Sequence, residues 1–542
     1  MSDTRKKLLT ISHLKKYFPI PKSSIFQREQ LFVKANEDIS FDIYEGETIG
    51  LVGESGCGKS TFGRVILQLY EQTAGSTIYY GTTVAEVAPV YVKSTLTHFE
   101  KYLKKYQKAK VKADNLRKEV ETVGVDNADF FLLQNKSLAI AEEKTLFNSL
   151  VRIVGGFFVV ENKALRDQGF AKMIKIYDTN VEIAKAKVRI NESATKIELY
   201  EGKNKVNEKK IAKLKEAIEN ENSYIATLET TQVNNENDLK EFKKQFENLD
   251  KFLECETLID DGVDLARLKY REIRRLRKDL QIIFQDPYSS LNPRMTIGQI
   301  IEEGLITHGF YRRGSKAMKE YIFETMRKCG LQDYMVYRYP HQFSGGQRQR
   351  VCIARALAVK PKFVVCDECV SALDVSIQSQ VINLLDDLKE QEILTYLFIS
   401  HDLSVVKYIS DRIGVMYLGS LVEFADKDAI FDDPRHPYTV SLLSSIPTTD
   451  VSDDKKERII LEGNIPSPIK PPHGCKFHTR CFMATEKCKN VPPELVEIEP
   501  NHFVACHYPE RKIDDKGDYL FKLKQEIQEA LREDENEERE NS

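Results

Sequence analysis

A glycine-rich loop near the N-terminus limits the fold of this chain more than any other feature. An apolar run at 48–52 precedes it and reads as a buried strand, and residues 62–69 after it read as a helix. The loop itself reads Gly53, Glu54, Ser55, Gly56, Cys57, Gly58, Lys59, Ser60 and Thr61. Glycines let the backbone curl so that successive N–H groups face an anion, and the helix N-terminus adds partial positive charge.

In this pattern Lys59 reaches the β- and γ-phosphates, Ser60 ligates Mg²⁺ and Thr61 faces the α-phosphate. An ordinary glycine-rich turn is the alternative. The complete pattern between a strand and a helix instead predicts a nucleotide-phosphate site, and 53–61 is called the phosphate loop below.

The composition bounds the class of protein. With 542 residues the chain is long enough for more than one domain, and its net charge of −3 predicts no general attraction to nucleic acid or to an anionic membrane. We find no apolar signal segment and no run of about 18 apolar residues that would predict a membrane span. Ten cysteines without a signal segment favour a reducing compartment.

Two segments before the phosphate loop, 8–17 and 31–43, read as strands. Tyr17 ends the first of them. Its ring either offers a stacking surface for an adenine or simply packs within the sheet, and the residues alone favour neither.

Residues 84–256 differ in character from the sequence on either side. They are rich in Lys, Glu and Asn and contain no proline after Pro89. One heptad position holds Ile211, Ile218, Ile225, Leu239, Phe246 and Leu253, and the other holds Leu214, Leu228, Phe242 and Leu249. Similar spacing at 96–106 predicts two arms that fold back on each other as a coiled-coil-like helical hairpin, with the apolar centre at Gly155 and Gly156 between them. A single long solvated helix is the alternative, but it would leave the apolar seam exposed.

Polar side chains follow three later apolar runs. Asp367 and Glu368 follow the run at 363–366, Gln285 follows 280–284, and His401 follows 394–399. The carboxyl ends of parallel strands meet at one edge of a sheet, where ligands bind. There Asp367 would hold Mg²⁺ through water, and Glu368 would act as the general base that polarises the attacking water.

A second glycine-rich turn, Ser344, Gly345, Gly346 and Gln347, opens another helix. Its N–H groups suit an anion. Because one nucleotide does not need two such cradles, we expect the turn of one subunit to complete the site of its partner.

These segments, in chain order, resemble the Walker A, Q-loop, signature, Walker B, D-loop and H-switch motifs of ABC-transporter ATPases. They are 53–61, Gln285, 343–347, 363–368, 371–374 and His401. Within that family, 283–294, 434–439 with Leu442 and Leu443, and 466–468 resemble the ATP-binding subunit of an oligopeptide or dipeptide importer. One departure is Cys369, where the family usually has proline, and it could loosen the turn after Glu368.

The resemblance implies an α/β fold. Its parts are a RecA-like P-loop core, an antiparallel β subdomain and a helical signature subdomain, here interrupted by the helical hairpin. ATP and Mg²⁺ are the implied ligands, with Gln285 joining Ser60 and Asp367 at the metal and His401 acting beside Glu368.

The resemblance also implies partners and a location. Two ATPase subunits, identical or different, would sandwich ATP, with Ser344 and Gly346 of one chain contacting the γ-phosphate held by the other. The pair would sit at the cytoplasmic face of the cell membrane on two permease subunits, served indirectly by a substrate-binding protein and binding no nucleic acid.

Four cysteines cluster near the C-terminus, Cys475, Cys481, Cys488 and Cys506. Thiols so clustered in a reducing compartment suggest metal ligation, and four unliganded thiols are the alternative. The set also resembles a cysteine motif of peptide-importer ATPases, some of which carry an iron–sulfur cluster. The spacing does not choose between a 4Fe–4S cluster and Zn²⁺.

These observations predict five segments. An ATPase domain occupies 1–83 and 257–446, the insertion 84–256, a cysteine-containing extension 447–510 and a charged tail 511–542. The rival interpretation is a coiled-coil-bearing chromosome-maintenance or DNA-repair ATPase. In those proteins the arms leave after the Q-loop, whereas here the insertion precedes Gln285.

Overall fold

The computed structural model describes residues 5–22, 30–124, 128–201, 208–446, 459, 461 and 463–509. The charged tail expected at 511–542 lies outside this part of the chain. The strands are β1 (Lys7–Pro19), β2 (Phe32–Tyr44), β3 (Thr48–Val52), β4 (Ala74–Thr83), β5 (Gly262–Asp264), β6 (Leu280–Ile283), β7 (Phe363–Asp367), β8 (Thr395–Ile399), β9 (Arg412–Tyr417), β10 (Ser420–Asp426), β11 (Val496–Glu499) and β12 (His502–Val504).

The α-helices surround two sheets and form the insertion. They are α1 (Lys59–Ile66), α2 (Val84–Val87), α3 (Val90–Thr97), α4 (Phe99–Val123), α5 (Phe130–Val154), α6 (Lys163–Glu201), α7 (Glu208–Lys244), α8 (Asp250–Glu256), α9 (Tyr270–Leu276), α10 (Pro287–Ser290), α11 (Ile297–Thr307), α12 (Lys316–Lys328), α13 (Gly345–Leu357), α14 (Val375–Glu392), α15 (Leu403–Ile409), α16 (Lys427–Asp432), α17 (Pro437–Leu443) and α18 (Glu486–Asn490). Within the described part of the chain, no helix combines the length and apolarity needed to cross a bilayer.

The larger sheet has eight strands in the order β11-β12-β10-β9-β3-β8-β7-β6. The five from β9 to β6 run parallel. Every residue of β3, β7, β8 and β9 is buried, as expected for parallel strands covered on both faces. The predicted parallel sheet is therefore confirmed, and the ends of β3, β7 and β8 lie at one edge.

The smaller sheet is antiparallel, in the order β2-β1-β4-β5. The two sheets share a core, because Leu9, Phe62 and Val365 belong to one apolar cluster. A second cluster joins the larger sheet to α11, α12 and α13 through residues such as Ile301, Met326 and Val351. The structure thus has the α/β core, the antiparallel sheet and the helical subdomain that the sequence predicts.

The insertion leaves and re-enters the antiparallel sheet at neighbouring points. Thr83 at the end of β4 pairs with Gly262 at the start of β5. The N–H of Val84 donates to the carbonyl of Asp261 at 2.7 Å. The core strands can therefore pair whatever the length of chain between them.

The insertion contains two helical hairpins, so the expectation of a single one is wrong. One hairpin is α4 with α5, where Arg117 donates to Glu143 at 2.7 Å. The other is α6 with α7, where Arg189 binds Glu221 through two hydrogen bonds of 2.7 and 2.8 Å. The heptad pattern marked an apolar seam on α7 correctly at Ile225, but such a seam does not specify which helix covers it.

A short 3₁₀ turn, Gly155–Val159, joins the two hairpins. Phe157 is fully buried there and stacks or meets edge-on with four other phenylalanine rings. A Cβ on Gly156 would lie 2.4 Å from the Phe252 ring, so only glycine fits. Because α7 ends at Lys244, Leu249 and Leu253 fall outside the seam and are 50% and 45% exposed.

The first hairpin is anchored to the core. Arg267 donates to the carbonyl of Ser149 at 2.6 Å and to Thr95 at 2.8 Å. Thr145 accepts a hydrogen bond from the Gly75 N–H at 2.9 Å. The main contacts of α6 are, in contrast, with α2, α3 and α7, which all belong to the insertion.

The C-terminal extension is built into the larger sheet. Strand β12 pairs with β10, with Glu423 opposite Val504 and Phe424 opposite Phe503. Buried Glu423 also accepts hydrogen bonds from the N–H groups of Arg435 and His436, at 2.8 and 3.0 Å. The extension therefore shares the core of the ATPase domain.

We predict that the insertion is dispensable for ATP binding. Replacing 84–256 with a short Gly/Ser linker should preserve ATP affinity, since β4 and β5 pair across the gap, although stability should fall with the loss of the α5 anchors. Replacing only 184–226, within the second hairpin, should change ATP affinity by no more than about twofold. It should also leave the melting temperature unchanged, because distant sites act independently. Calorimetric titration and thermal melting of both variants measure this. Loss of ATP binding in the larger deletion alone would make α4 and α5 part of the nucleotide core.

Candidate functional site

The phosphate loop links β3 to α1 in a conformation that requires glycine. Gly53, Gly56 and Gly58 have φ angles of 144°, 80° and 103°. A Cβ on Gly58 would lie 2.1 Å from the carbonyl oxygen of Ala35, and one on Gly53 would lie 2.2 Å from that of Met416. Neighbouring strands therefore confine the loop, which leaves Ser55 and Gly56 exposed at its tip.

Lys59 is buried beneath the loop. Its Nζ donates to the carbonyls of Gly53 at 2.6 Å and Glu54 at 3.1 Å, and it lies 3.8 Å from Cys57 Sγ. Asn36 donates to the Gly58 carbonyl at 3.1 Å. The ammonium group is thus held inside the curl of the loop, where a phosphate would meet it.

Asp367 ends β7 and is 1% exposed. Its Oδ2 accepts a hydrogen bond from Arg64 of α1 at 3.3 Å, while its Oδ1 is buried without a protein partner. A buried carboxylate oxygen without a partner is costly unless it meets a cation or water. The donor set, with the hydroxyl of Ser60 on α1, fits a hard divalent cation such as Mg²⁺.

Glu368, Gln285 and His401 come together at the same sheet edge. Gln285 Nε2 donates to Glu368 Oε2 at 2.8 Å, and His401 Nδ1 lies 3.6 Å from that oxygen. Glu368 has a φ of 50°, a strained conformation for a residue other than glycine that is concentrated at functional sites. Gln285 and His401, which sequence analysis placed after two separate strands, therefore both lie beside the carboxylate of Glu368, which follows a third strand.

The turn after Glu368 is closed although Cys369 replaces the usual proline. Ser371 donates to the Glu368 carbonyl twice, from its N–H at 3.2 Å and its hydroxyl at 2.9 Å. Cys369 itself is 2% exposed. Hydrogen bonds from Ser371 thus fix the turn that proline would otherwise restrict.

The signature turn (344–347) begins α13 with a reciprocal cap. Ser344 Oγ accepts from the Gln347 N–H at 3.4 Å, and Gln347 Oε1 accepts from the Ser344 N–H at 3.2 Å. Gly346 packs against Ile377, where a Cβ would lie only 2.3 Å away. These hydrogen bonds stay within the turn, and among the described residues no hydrogen bond joins it to the phosphate loop of the same chain.

Tyr17 is buried and offers no open ring face in this conformation. It is 3% exposed, its hydroxyl donates to Glu37, and its ring lies 6.0 Å from that of Phe32. Burial raises the pKa of the Glu37 carboxyl, but three surrounding lysines outweigh this and lower it to about 2. They are Lys476, Lys15 and Lys34. The structure thus shows Tyr17 packed in the sheet, which was the alternative to adenine stacking.

Two residues of the C-terminal region hold Glu54, and sequence analysis missed both contacts. The Tyr438 hydroxyl accepts from the Glu54 N–H at 2.8 Å. Arg480 donates to both oxygens of the Glu54 carboxylate, at 2.8 and 3.0 Å. Arg480 lies 426 positions from Glu54, so no local pattern could have revealed the pair.

The four C-terminal cysteines line one small cavity, together with His436, His478 and His507 among others. The N–H of Cys475 donates to the Cys488 carbonyl at 2.8 Å, and Gly474 permits this approach because a Cβ there would lie 2.4 Å from the same carbonyl. Burial raises the pKa of Cys481 to about 12. In the described part of the chain, no three His, Cys, Asp or Glu side chains already form a closed metal-ligand set.

Two family models match the chain. The model described as ABC transporter matches residues 36–250 and 246–371, and that described as Oligopeptide/dipeptide transporter, C-terminal region, matches 422–488. The oligopeptide transport ATP-binding protein AppF of Bacillus subtilis is 53% identical over 248 residues, which are 45% of this chain and 75% of AppF.

These matches and the site geometry define a P-loop ATPase of transport systems. The chain belongs to the ABC transporter family and is one of its ATP-hydrolysing proteins, which bind ATP with Mg²⁺. Among solved structures, cbiO1 from Clostridium perfringens aligns with a TM-score of 0.39 at 13% identity, over 79% of this chain and 92% of that one. The ATP-binding cassette MJ0796 aligns with the same TM-score at 16% identity, over 78% and 99%.

We predict that Glu368→Gln retains ATP binding and loses about 10²–10⁴ in turnover, the usual contribution of a general base. Lys59→Ala should instead weaken ATP binding, because it removes the ammonium group inside the loop. ATP titration and phosphate release measure the two effects separately. Near-normal turnover of Glu368→Gln would show that another group activates the water.

Proposed function

We propose that this chain powers the import of oligopeptides or dipeptides through a membrane transporter. The observation that carries the proposal is the C-terminal region at 422–488, which matches the family model of oligopeptide and dipeptide transporters. AppF, which is 53% identical to this chain over the matched residues, is named an oligopeptide transport ATP-binding protein.

The proposed working unit contains two ATPase subunits, of the same or different kind, on two permease subunits at the cytoplasmic face of the membrane. The self-contained cap of Ser344 and Gln347 supports this arrangement, since its two hydrogen bonds stay within the turn and do not involve the phosphate loop of its own chain. The signature turn of each subunit then completes the ATP site of the other. A substrate-binding protein would deliver peptides to the permeases.

In the proposed hydrolytic step Glu368 holds the attacking water and accepts its proton. Gln285 and His401 orient the Glu368 carboxylate through its Oε2, from which they lie 2.8 and 3.6 Å away. Lys59 and the N–H groups of the phosphate loop bind the phosphates, while Ser60, Asp367 and Gln285 would hold the metal. Mg²⁺ held there would neutralise the charge that develops on the phosphoryl oxygens.

The rival interpretation, a chromosome-maintenance or DNA-repair ATPase, has no support among these matches. The insertion lies between β4 and β5 and precedes Gln285, whereas the coiled-coil arms of those proteins follow that position. The C-terminal region has no place in them either. DNA stimulation of ATP hydrolysis discriminates the two candidates directly.

The test is purification of the full-length chain with the membrane proteins that accompany it, followed by reconstitution in vesicles. We expect permease subunits to co-purify, ATP hydrolysis to rise well above that of the isolated chain, and labelled peptide to accumulate only with ATP. Glu368→Gln is the matched control, since it should assemble normally and transport nothing. Full activity of an isolated monomer, or stimulation by DNA without peptide uptake, would contradict the proposal.

We further propose that Cys475, Cys481, Cys488 and Cys506 bind a 4Fe–4S cluster or Zn²⁺. Their common cavity supports this, since all four side chains line it. The raised pKa of the Cys481 thiol would fall on metal binding, because thiolates are the ligands. Anaerobically purified protein should carry iron with visible absorbance, or about one zinc per chain. Folded protein with neither metal would leave four structural thiols. Cys329→Ser changes a buried cysteine elsewhere in the chain and is the control, since it should not change the metal content.

A further inference from the structure

We propose that Arg480 is a positioning residue of the ATP site, which holds the phosphate loop through Glu54 in the conformation that binds phosphate. The proposal deepens the function above and rests on it only for ATP binding.

The first observation is the geometry of the pair. Arg480 Nη1 donates to Glu54 Oε2 at 2.8 Å and Nη2 donates to Oε1 at 3.0 Å. The Arg480 side chain is 6% exposed and that of Glu54 23%. A paired, largely buried fork of this kind fixes orientation as well as charge, which a single ammonium cannot do.

The second observation is the place of Glu54 in the loop. Its carbonyl accepts from Lys59 Nζ at 3.1 Å and from the Cys57 N–H at 3.2 Å. Holding Glu54 therefore holds the groups that aim Lys59 and close the curl. A glycine-rich segment has much conformational freedom to lose, so external contacts that fix it in advance favour ligand binding.

The third observation is that the contacts on Glu54 share one rigid support. Phe477 is 1% exposed, and its ring lies 5.3 Å from that of Tyr438 and 5.2 Å from that of Tyr417. The N–H of Arg480 donates to the Phe477 carbonyl at 2.9 Å. Tyr438 and Arg480 thus contact Glu54 from one packed aromatic cluster. Tyr438 binds the backbone N–H of Glu54, and Arg480 binds the Glu54 carboxylate.

The position of Arg480 has a consequence for the cysteines. Arg480 directly precedes Cys481, which lines the cysteine cavity. The segment that carries the cysteines is therefore the one that holds the phosphate loop. This gives the C-terminal region a role in nucleotide binding by its own chain.

The experiment compares the full-length chain with Arg480→Gln, Glu54→Gln, the double variant and Arg480→Lys. ATP affinity is measured by calorimetric titration, KM and kcat by phosphate release, and folding by thermal melting. Arg480→Gln should raise KM about tenfold with kcat within about twofold, because the pair supports binding of substrate and transition state alike. The double variant should be no worse than either single variant, since both remove one interaction, and Arg480→Lys should recover only part of the affinity.

Lys489→Gln is the matched control, because it removes an exposed ion pair with Glu486 in the same region. It should leave KM unchanged. An unchanged KM in folded Arg480→Gln, or effects of the two single variants that add in the double variant, would overturn the proposal. If Arg480→Gln does not fold, Glu54→Gln provides the test, since it breaks the same ion pair from the other side. A normal KM of Glu54→Gln would then overturn the proposal. Peptide transport is not measured, so the result is independent of the transported substrate.

Discussion

The parallel pairing of β3 with β8 on one side and β9 on the other is the constraint on which the site depends. It sets Leu51 opposite Ile399 and Val52 opposite Val415, and β7 extends the same register with Asp367 opposite Ile399. The phosphate loop, the two acidic residues and His401 therefore leave the sheet at one level. A slip of one residue in a strand would turn its side chains to the other face and separate these groups. The relative positions of the site residues are therefore set first by the register of the strands and only then by the loops.

The sequence was sufficient for the residues that follow buried strands. Glu368, Gln285 and His401 could be placed together because each comes within two residues of the end of an apolar run, and strand ends meet at one edge. The sequence was not sufficient where an apolar pattern indicates a buried surface but does not specify the segment that packs against it. The apolar seam through Ile225 packs against α6, whereas the sequence predicted that it would pack against the helix near 96–106. One hairpin was therefore expected where two exist. Tyr17 and Arg480 depend on contacts with distant segments, through Glu37 and Glu54, which local patterns do not encode.

Additions to the ATPase core are attached in two different ways. The insertion enters through neighbouring residues of the antiparallel sheet and adds its own apolar cluster around Phe157. It extends the molecule without interrupting the pairing of β4 with β5. The C-terminal extension instead contributes strands to the main sheet and side chains to the phosphate loop. The physical difference suggests that the first can vary in length while the second cannot be removed without changing the nucleotide site.

We propose that the strand ends form one site for ATP and its metal, with Asp367 Oδ1 facing the cation. Binding of Mn²⁺, used in place of Mg²⁺, can be followed by electron paramagnetic resonance with and without ATP. We expect Asp367→Asn to lose Mn²⁺ affinity in the presence of ATP, whereas Asp374→Asn, at the cap of α14, should bind Mn²⁺ as the unchanged chain does. Equal Mn²⁺ affinity in Asp367→Asn and the unchanged chain would show that Asp367 does not face the cation.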